Sequence, residues 1–243
     1  MNTPLRLIIH GASGRMGRAL LRLAAEDARL RVVAAITGSG RAPEEARDTP
    51  VLAAGSLAQA PPFDVAIDFS QPAGFDAIQA LCVDRAAALV SGTTGLSTDQ
   101  FAALDTAGRR IPVLWAANFS AGVAVLAELV RQAAAALPGW DADVIEAHHV
   151  HKKDAPSGTA LQLGAAVAAG RGREPAYASL RAGDIVGEHT VQFAGPGERL
   201  ELVHRATNRD IFARGALEAA LRLAPLGPGR HEFGRLMLPG AGR

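Results

Sequence analysis

The chain has 243 residues, a formal net charge of +1 and a hydrophobic content of 49%, values that are typical of a globular protein with a sizeable buried core. The charge shows no basic excess and aromatic residues make up only 5% of the chain, so neither a nucleic acid nor a membrane surface is expected as a partner. The length allows one large domain or two small ones.

The sequence also predicts a cytoplasmic location. Cys82 is the only cysteine, which excludes an intrachain disulfide and fits a reducing compartment. A predicted strand follows Met1 almost at once, so no secretory signal is expected. No apolar run approaches the roughly 20 residues of a membrane span, so no membrane-spanning helix is expected.

Strands alternate with helices in the first half of the chain. The apolar run Leu5–His10 predicts a buried parallel strand, and apolar residues with helical spacing follow over 15–26. This alternation implies right-handed crossovers, and hence an α/β fold with a doubly wound parallel (Rossmann) sheet. Residues 41–62 are rich in Ala, Pro and Gly and are interpreted as irregular. Further strands are predicted over 31–36, 64–69, 86–91 and 111–116, and further helices over 74–83 and 98–108.

The pattern changes after Asn118. Successive strands without intervening helices suggest a mixed or antiparallel sheet, and hence a second, smaller α+β domain. We expect residues 1–119, completed by 207–243, to form the first domain, and residues 120–206 to form the second. In this part of the chain the predicted helices cover 121–137, 158–169 and 208–223, the predicted strands lie near 177–180, 189–194 and 199–204, and a Gly/Pro-rich tail follows.

Between the first predicted strand and the first predicted helix lies the segment Gly11-Ala12-Ser13-Gly14-Arg15-Met16-Gly17. Its spacing, G-x-x-G-x-x-G, is a variant of the dinucleotide-binding fingerprint. In that fingerprint Gly11 permits the tight turn, Gly14 the close approach of a pyrophosphate, and Gly17 the close packing of helix on strand. A purely structural glycine turn is the alternative, but the position at the head of the alternating pattern favours a dinucleotide site.

The end of the second predicted strand is where an acidic residue would bind the adenosine ribose and favour NAD. Here the residues are Thr37, Gly38, Ser39, Gly40 and Arg41, and none of them is acidic. Hydroxyls, glycine amides and one arginine accept a ribose phosphate without charge repulsion, so the sequence leans towards NADP. A flexible loop that tolerates either cofactor is the alternative, and the expected cofactor is therefore NADPH, NADH or both.

Two further loops follow predicted strands at the same end of the sheet. The loop Gly92-Thr93-Thr94 follows the fourth strand, and Ala116-Ala117-Asn118-Phe119 follows the fifth. Ligands of open α/β sheets bind at the carboxyl ends of strands, and Asn118 offers both a donor and an acceptor to a carboxamide. Each loop alone is typical of an ordinary turn, but together with the glycine segment they predict the wall of a nicotinamide site.

The most informative stretch of the chain is 146–159, which gathers three histidines and two lysines ahead of a helix start. Histidine exchanges a proton near neutral pH and lysine carries a positive charge. Ser157 is the predicted N-cap of that helix, and a helix N-terminus binds anions through its backbone N–H groups. These features predict chemistry on a small carboxylated substrate. Strand alternation would place His148 on one face with Lys152, and His149 on the other, if the chain stays extended.

Two other interpretations of this stretch remain open. A strand that runs into a solvated basic loop has much the same composition. Three histidines also form metal sites, since imidazole is a common zinc ligand. However, the chain has no H-E-x-x-H motif and its single cysteine lies elsewhere, so no metal is expected.

Six segments carry a resemblance to a known family: GASGRMGR from Gly11, DFSQP from Asp68, SGTTGL from Ser91, AANFSAGV from Ala116, EAHHVHKKDAPSGTA from Glu146 and RAGDIVGEHTVQF from Arg181. In this order they resemble the dihydrodipicolinate reductase family. The resemblance implies NAD(P)H-dependent reduction of 4-hydroxy-tetrahydrodipicolinate to tetrahydrodipicolinate with release of water, in the diaminopimelate route to lysine. It also implies a homotetramer with a small dicarboxylate substrate, in which the first domain binds the dinucleotide and the second binds substrate and oligomerises.

The resemblance also implies roles for single residues. His148 is the implied catalytic acid/base and Lys152 an implied proton donor. The implied substrate contacts are His149, Gly158 and Thr159. The implied cofactor contacts are Gly11, Ala12, Ser13, Gly14, Arg15, Met16, Gly92, Thr93, Thr94, Ala116, Ala117, Asn118 and Phe119, to which the ribose argument adds Thr37.

Two other functions compete with this interpretation. A non-catalytic NADP-sensing regulatory protein would keep the glycine segment but would need neither His148 nor Lys152. A phosphorylating semialdehyde dehydrogenase needs a nucleophilic cysteine, whereas Cys82 lies inside a predicted helix among apolar neighbours and is interpreted as a packing residue. The chain departs from the family pattern at 173–177, which is short, and in the Gly/Pro-rich tail from Pro225.

Overall fold

The computed structural model describes residues 3–238, and within them the chain forms two compact units. The first unit comprises residues 3–119 together with Phe212–Leu236, and the second comprises Ser120–Ile211 together with Met237 and Leu238. Residues 1, 2 and 239–243, which the predicted first domain includes, lie outside the described residues.

A seven-stranded sheet forms the centre of the first unit, and all of its neighbouring strands pair in parallel. Its strands are β1 (Leu5–His10), β2 (Leu30–Thr37), β3 (Val51–Ala53), β4 (Val65–Asp68), β5 (Ala88–Ser91), β6 (Pro112–Trp115) and β11 (Gly229–His231). The strand order is β11-β6-β5-β4-β1-β2-β3, so the direction of winding reverses between β1 and β4. This is the doubly wound parallel sheet that the sequence predicts.

The helices of this sheet are α1 (Arg15–Ala24), α2 (Pro72–Asp84), α3 (Thr98–Gly108), α6 (Asp210–Leu223) and α7 (Phe233–Met237). Helix α3 has the predicted bounds because its start is specified locally. The Ser97 side chain accepts a hydrogen bond from the backbone N–H of Gln100, and the Gln100 side chain accepts one from the backbone N–H of Ser97. This capping box satisfies two N–H groups at the start of the helix.

The apolar core of the first unit lies against its central strands. Both β4 and β5 are buried along their whole length, as expected for strands that are covered on both faces. Phe75 and Ile78 of α2 and Leu104 of α3 pack in the same cluster and are fully buried. Cys82 belongs to this cluster, and burial raises the pKa of its thiol. Cys82 is therefore the packing residue that the sequence predicts, since a buried thiol with a raised pKa is a poor nucleophile.

The structure differs from the sequence prediction at two places in this unit. Residues 41–62 are not irregular throughout, because they contain β3 and the 3-10 turns Glu44–Ala46 and Ala54–Gln59. The Gly/Pro-rich tail contains β11 and α7. Each of the two unpredicted strands has three residues. Strand β3 pairs with β2 after an irregular loop, and β11 pairs with β6, which is distant in sequence. Such strands are created by tertiary pairing and not by a local pattern.

The second unit combines a four-stranded sheet with two helices. Its helices are α4 (Ala121–Ala136) and α5 (Gly158–Arg171), and its strands are β7 (Asp141–His148), β8 (Ala176–Arg181), β9 (Gly187–Gly195) and β10 (Glu198–Ala206). The strand order is β10-β9-β7-β8, in which β7 and β8 are parallel and the other pairs are antiparallel. The sheet is therefore mixed, and this unit is the smaller α+β domain that the sequence predicts.

Alternate side chains of β7 and β9 are buried beneath the two helices. Val144, Val191 and Phe193 of the sheet pack with Val130 of α4 and Leu163 of α5, and all five are fully buried. The same alternation brings the polar residues at the end of β7 to this inner face. Within residues 3–238, no helix has both the length and the apolar character needed to cross a membrane.

Candidate active site

The residues predicted to hold the cofactor lie at one end of the first unit's sheet. Gly11 follows β1, Thr37 ends β2, Gly92 follows β5 and Ala116 follows β6. Because the strands are all parallel, their carboxyl ends share one edge of the sheet. The reversal of strand order between β1 and β4 marks the switch point at which ligands of such sheets bind.

Two glycines at this edge are required by the backbone. Gly11 has a φ of +80°, and a Cβ on it would lie 2.4 Å from the carbonyl oxygen of Phe69. A Cβ on Gly17 would lie 2.3 Å from the carbonyl oxygen of Gly11, so a larger residue would push α1 away from the turn. Gly14 is the exposed N-cap of α1 and supplies no side-chain cap. The start of α1 therefore offers backbone N–H groups to an anion, and this segment fits the pyrophosphate of a dinucleotide.

A buried carboxylate organises the loops beside this turn. Asp68 ends β4 and is fully buried, and its Oδ1 lies 2.9 Å from Nδ1 of His10. Its Oδ2 accepts hydrogen bonds from the hydroxyls of Ser91 at 2.9 Å and Thr93 at 2.8 Å, and its Oδ1 accepts one from the N–H of Ser70 at 3.2 Å. Burial opposes ionisation, but the bonds with His10, Ser70 and Thr93 hold the pKa of Asp68 below its ordinary value. The carboxylate thus ties the loop after β5 to the ends of β1 and β4.

The loop after β2, which is predicted to bind the ribose, is held by hydrogen bonds between its own residues. Thr37 is 2% exposed, and its hydroxyl donates a hydrogen bond to the carbonyl oxygen of Arg41 at 3.2 Å. The N–H of Arg41 also lies 3.4 Å from Oγ of Ser39. The exposed positions of the loop are Gly38, Ser39 and Arg41, so Thr37 shapes the loop while these three face solvent.

Three other predicted cofactor residues, Ala12, Thr93 and Phe119, are buried. Ala12 is fully buried, and Phe119 is 1% exposed because its ring packs against Phe69 and Phe233, at centroid distances of 5.4 and 5.1 Å. A cofactor contact from either residue therefore involves its backbone. Of the other predicted cofactor residues, Ser13, Gly14, Arg15, Thr94 and Ala117 are exposed, and Gly11, Met16, Gly92, Ala116 and Asn118 are half-buried.

In the second unit, His148 is the last residue of β7 and is 8% exposed. Its Nδ1 is hydrogen-bonded to Oε2 of Glu146, and its Nε2 lies beside Gly187, where a Cβ would come within 3.1 Å. Burial lowers the pKa of His148, the Glu146 carboxylate offsets part of this effect, and the charges of Lys152 and Arg181 add to it. The ring is therefore mainly neutral at neutral pH, and Nε2 is the nitrogen that can exchange a proton with a substrate.

Glu146 is held in turn by Arg181 of β8. Nη1 of Arg181 donates to Oε2 of Glu146 at 3.0 Å, and Nη2 donates to Oε1 at 2.8 Å. Burial opposes ionisation of Glu146, but hydrogen bonds from Arg181, Ser179 and His148 lower its pKa to about 2. The sequence interpretation assigned no role to Glu146 or Arg181. The signal that was available is the alternation along β7, which puts Glu146 on the same face as His148.

Lys152 does not continue strand β7. The chain turns directly after the strand, and the N–H of Lys152 donates to the carbonyl oxygen of His149 at 3.1 Å. The argument that alternation aligns Lys152 with His148 is therefore wrong, because the extended chain ends at His148. The Lys152 ammonium instead contacts both carboxylate oxygens of Asp154, at 2.8 and 2.9 Å. Its charge still acts on His148, whose pKa it lowers.

His149 contacts an arginine that sequence reasoning missed. Nε2 of His149 lies 3.1 Å from Nη2 of Arg209, just before α6. Since a guanidinium can only donate, Nε2 is the acceptor and a neutral ring carries its proton on Nδ1. That Nδ1 is buried and has no hydrogen-bond partner among the described residues. No motif marks Arg209 in the sequence, because 60 residues separate it from His149 and only the fold brings the two together.

The predicted helix start after the histidine segment is present. Ser157 is the N-cap of α5, and its Oγ accepts a hydrogen bond from the N–H of Ala160 at 3.2 Å. Gly158 is the first helical residue and is exposed, and Thr159 is half-buried. Oγ of Ser157 also lies 3.2 Å from Nε2 of His189 on β9. A buried histidine therefore anchors the predicted anion-binding helix start to the sheet.

His189 is 4% exposed and lies between two other histidines. Its ring is edge-on to that of His148 at a centroid distance of 5.1 Å, and the ring of His204 lies 6.5 Å away. Burial lowers the pKa of His189 to about 4, and His148 and His204 add to the effect. Within residues 3–238, no group of three or more His, Cys, Asp or Glu side chains is arranged to hold a metal ion.

The low pKa of His189 predicts a loss of stability in mild acid. An unfolded histidine takes up a proton near pH 6.5, whereas folded His189 stays neutral down to about pH 4. The free energy of unfolding should therefore fall as the pH drops from 6.5 to 4, by up to about 3 kcal/mol from this residue. His189→Gln should remove that part of the fall. Urea unfolding followed by tryptophan fluorescence at several pH values measures it, and parallel pH curves for the two proteins would contradict the assignment.

Comparison with known proteins places the whole chain in one family. The model of the dihydrodipicolinate reductase N-terminus matches residues 5–119, and that of the dihydrodipicolinate reductase C-terminus matches residues 122–236. The 4-hydroxy-tetrahydrodipicolinate reductase of Stenotrophomonas maltophilia (strain K279a) is 64% identical over 236 residues, which cover 97% of this chain and 98% of that protein. The reductase of the same description from Xanthomonas campestris pv. campestris (strain B100) is 62% identical, with coverage of 97% and 99%.

Solved structures share the fold. The dipicolinate-bound dihydrodipicolinate reductase from Paenisporosarcina sp. TG-14 superposes with a TM-score of 0.83 at 24% identity, covering 95% of this chain and 98% of that one. A myo-inositol dehydrogenase from Corynebacterium glutamicum ATCC 13032 superposes with a TM-score of 0.65 at 13% identity, covering 93% and 90%. On the two family models and the relatives above 60% identity, the chain belongs to the dihydrodipicolinate reductase family.

Proposed function

We propose that this protein is an NAD(P)H-dependent 4-hydroxy-tetrahydrodipicolinate reductase. It reduces 4-hydroxy-tetrahydrodipicolinate to tetrahydrodipicolinate with release of water, in the diaminopimelate route to lysine. The observation that carries the proposal is His148, a mainly neutral histidine at a strand end that is bonded through Nδ1 to a buried carboxylate. The names of the curated relatives support the same activity. A non-catalytic NADP-sensing protein would have no use for this arrangement.

The first unit is proposed as the dinucleotide-binding domain, within 1–119 completed by 207–243. The start of α1 binds the pyrophosphate, the loop after Thr37 binds the ribose, and the loops after β5 and β6 surround the nicotinamide. When it is bound, the cofactor supplies a hydride. The residues proposed to contact it are Gly11, Ala12, Ser13, Gly14, Arg15, Met16, Thr37, Gly92, Thr93, Thr94, Ala116, Ala117, Asn118 and Phe119.

The second unit is proposed as the substrate-binding and oligomerisation domain, within 120–206. Its polar and charged groups match a dicarboxylate: Lys152 and His149 are proposed to bind one end, and the helix start at Gly158 and Thr159 the other. In the structure Lys152 pairs with the exposed carboxylate of Asp154. A substrate carboxylate that binds Lys152 would take the place of the Asp154 carboxylate. Arg209, which contacts His149, adds a second cationic side chain on this side.

The proposed chemistry needs one proton on carbon and the loss of one water. Departure of the substrate hydroxyl with a ring hydrogen gives a double bond conjugated to the imine. The hydride adds to the far carbon of that system, and a proton is then added to the carbon next to the imine. We assign both transfers at this carbon to Nε2 of His148, which takes up the ring hydrogen as the hydroxyl leaves and returns it as a proton after the hydride has been added. Lys152 is assigned as the donor that protonates the departing hydroxyl and as the charge that stabilises the electron-rich intermediate.

The activity predicts NADPH consumption that depends on substrate and on His148. Absorbance at the nicotinamide band should fall when substrate is made in place from pyruvate and aspartate semialdehyde by the preceding synthase. His148→Gln should lower turnover by about 10²–10⁴-fold while cofactor affinity persists. His151→Gln, a change at an exposed neighbour, should keep the wild-type rate. The proposal fails if wild-type protein leaves NADPH unchanged under these conditions.

We also propose that NADPH binds at least as well as NADH. The loop after β2 has no acid to repel a ribose phosphate, and Ser39 and Arg41 are exposed there. Thr37 is buried, so an acid at that position would disturb the loop fold as well as the ribose site.

Gly38 is the sharper place to test this preference. A Cβ on Gly38 would meet nothing within 4 Å, so Gly38→Glu adds a carboxylate without a clash. It should weaken NADPH relative to NADH by roughly 5–150-fold, the equivalent of about 1–3 kcal/mol. Calorimetric titration with both cofactors measures the ratio, and Gly38→Gln is the uncharged control. An equal shift in the Gln variant, or none in the Glu variant, would show that this loop does not read the ribose.

A homotetramer is proposed to form through the outer face of the mixed sheet. Leu180 and Val203 are 57% and 40% exposed on the two edge strands, and the pairing register puts them on the same face as half-buried Ile145. Exposed apolar surface of this kind is typical of an interface. Light scattering should give four times the 25.1 kDa of one chain, and a lower mass for Leu180→Glu/Val203→Glu. A wild-type mass of one chain would contradict it.

The proposed location is the cytoplasm. It is supported by the single cysteine, which fits a reducing compartment, and by the cofactor and pathway of the proposed reaction. Fractionation of the source cells tests it, and recovery of the protein outside the cytoplasmic fraction would contradict it.

A further inference from the structure

Arg181 forms several hydrogen bonds around the residues that are proposed to be catalytic, and the proposed reaction does not explain them. It belongs to the segment Arg181-Ala182-Gly183-Asp184, to which the proposed reaction gives no task. Its side chain is 19% exposed and forms a two-pronged contact with Glu146, which is 1% exposed. Such a fork fixes both oxygens of a carboxylate, and it gives the buried charge of Glu146 a full partner.

The first consequence concerns the tautomer of His148. Glu146 is ionised, so it accepts a hydrogen bond and requires the proton of the neutral ring to sit on Nδ1. Nε2 is then free of a proton and faces away from the carboxylate. Because Arg181 holds both oxygens, Glu146 cannot rotate to release the ring. The orientation of His148 therefore depends on Arg181 through Glu146.

The second consequence concerns the loop that carries Lys152. Nε of Arg181 donates to the carbonyl oxygen of Lys152 at 3.2 Å, and Nη2 donates to that of Asp154 at 2.5 Å. The next residue also bonds to the end of β7: the N–H of Ala182 donates to the carbonyl oxygen of His148 at 2.9 Å. The turn after β7 is thus fastened to the end of β8.

We infer that Arg181 is a positioning residue that holds His148 and the Lys152 loop in one arrangement, through Glu146 and through two backbone carbonyls. The inference rests on the proposed function for the roles of His148 and Lys152. It extends that function by making the two catalytic groups depend on one guanidinium. A lysine cannot replace it, because a single ammonium cannot span both carboxylate oxygens and reach the two carbonyls as well.

The test combines kinetics with a direct view of the His148 ring. Arg181→Met should lower kcat for the substrate by about 10²-fold while the Kd for NADPH is unchanged, as for other residues that orient a catalytic histidine. Glu146→Gln, which keeps the shape of the side chain, should cost a similar factor. Because the two act together, Glu146→Gln/Arg181→Met should fall no further than Arg181→Met alone. Arg181→Lys should restore little of the rate.

The ring itself is read by ¹⁵N NMR of histidine-labelled protein at pH 8, with His148 assigned from His148→Gln. Wild-type protein should show the proton on Nδ1, and Glu146→Gln should lose this preference because its amide can donate or accept. The matched control is Arg131→Met. Arg131 makes the same two-pronged contact with Glu128 on the surface of α4, so its loss should leave both kcat and the tautomer unchanged.

The outcomes separate this inference from the proposed function. An unchanged tautomer in Glu146→Gln, or losses in the double variant that multiply, would overturn the inference even if wild-type protein reduces the substrate. If wild-type protein does not reduce the substrate, the proposed function fails, but the tautomer still decides the positioning claim. Glu146→Gln and Arg181→Met should each lose the preference for a proton on Nδ1, and wild-type spectra for both variants would overturn the claim. If the Arg181→Met protein does not fold, Arg181→Lys, which keeps the positive charge, is the deciding variant, and a wild-type kcat in that variant would overturn the inference.

Discussion

The ionised and buried carboxylate of Glu146 sets the geometry at the end of strand β7 in the second unit. A buried charge is costly unless it is paired and hydrogen-bonded, and Glu146 meets this condition with Arg181, Ser179 and His148. Those bonds join β7 to β8 and set the direction of the His148 ring. The ring in turn lies against His189, which anchors the cap of α5. His148, the proposed acid/base residue, and the predicted anion site are therefore fixed to the same part of the sheet.

The first unit, which is proposed to bind the dinucleotide, also has a buried and hydrogen-bonded carboxylate at its strand ends. Asp68 is fully buried, and its oxygens are bonded to His10, Ser91, Thr93 and the backbone of Ser70. These bonds hold the ends of β1, β4 and β5 together, next to the loop after β5 that is proposed to contact the nicotinamide. In both units a carboxylate with no direct part in the chemistry orders the residues that are proposed to carry it.

The parts of this structure that can be predicted from the sequence are those that are specified by residues close together in the chain. The glycine segment, the Ser157 cap and helix α3 each depend on residues within about one turn of each other, and the structure has them where the sequence predicts. The sequence does not predict the path of the chain after β7, because no local pattern indicates that the strand ends at His148 and that Lys152 lies in a turn. Arg209 and Arg181 depend on contacts across 60 and 35 residues, which periodicity cannot reveal. The short strands β3 and β11 are not predicted from the sequence for the same reason.

The central claim is that the cofactor delivers a hydride to carbon of a dicarboxylate substrate bound by this chain. Mass spectrometry of the product formed with NADPH that carries deuterium at both C4 positions tests it most directly. The account predicts tetrahydrodipicolinate that contains one deuterium per molecule, no product when the substrate is omitted, and about 10²–10⁴-fold less of the same product when His148→Gln is assayed for the same time. Tetrahydrodipicolinate formed by wild-type protein without deuterium would contradict it.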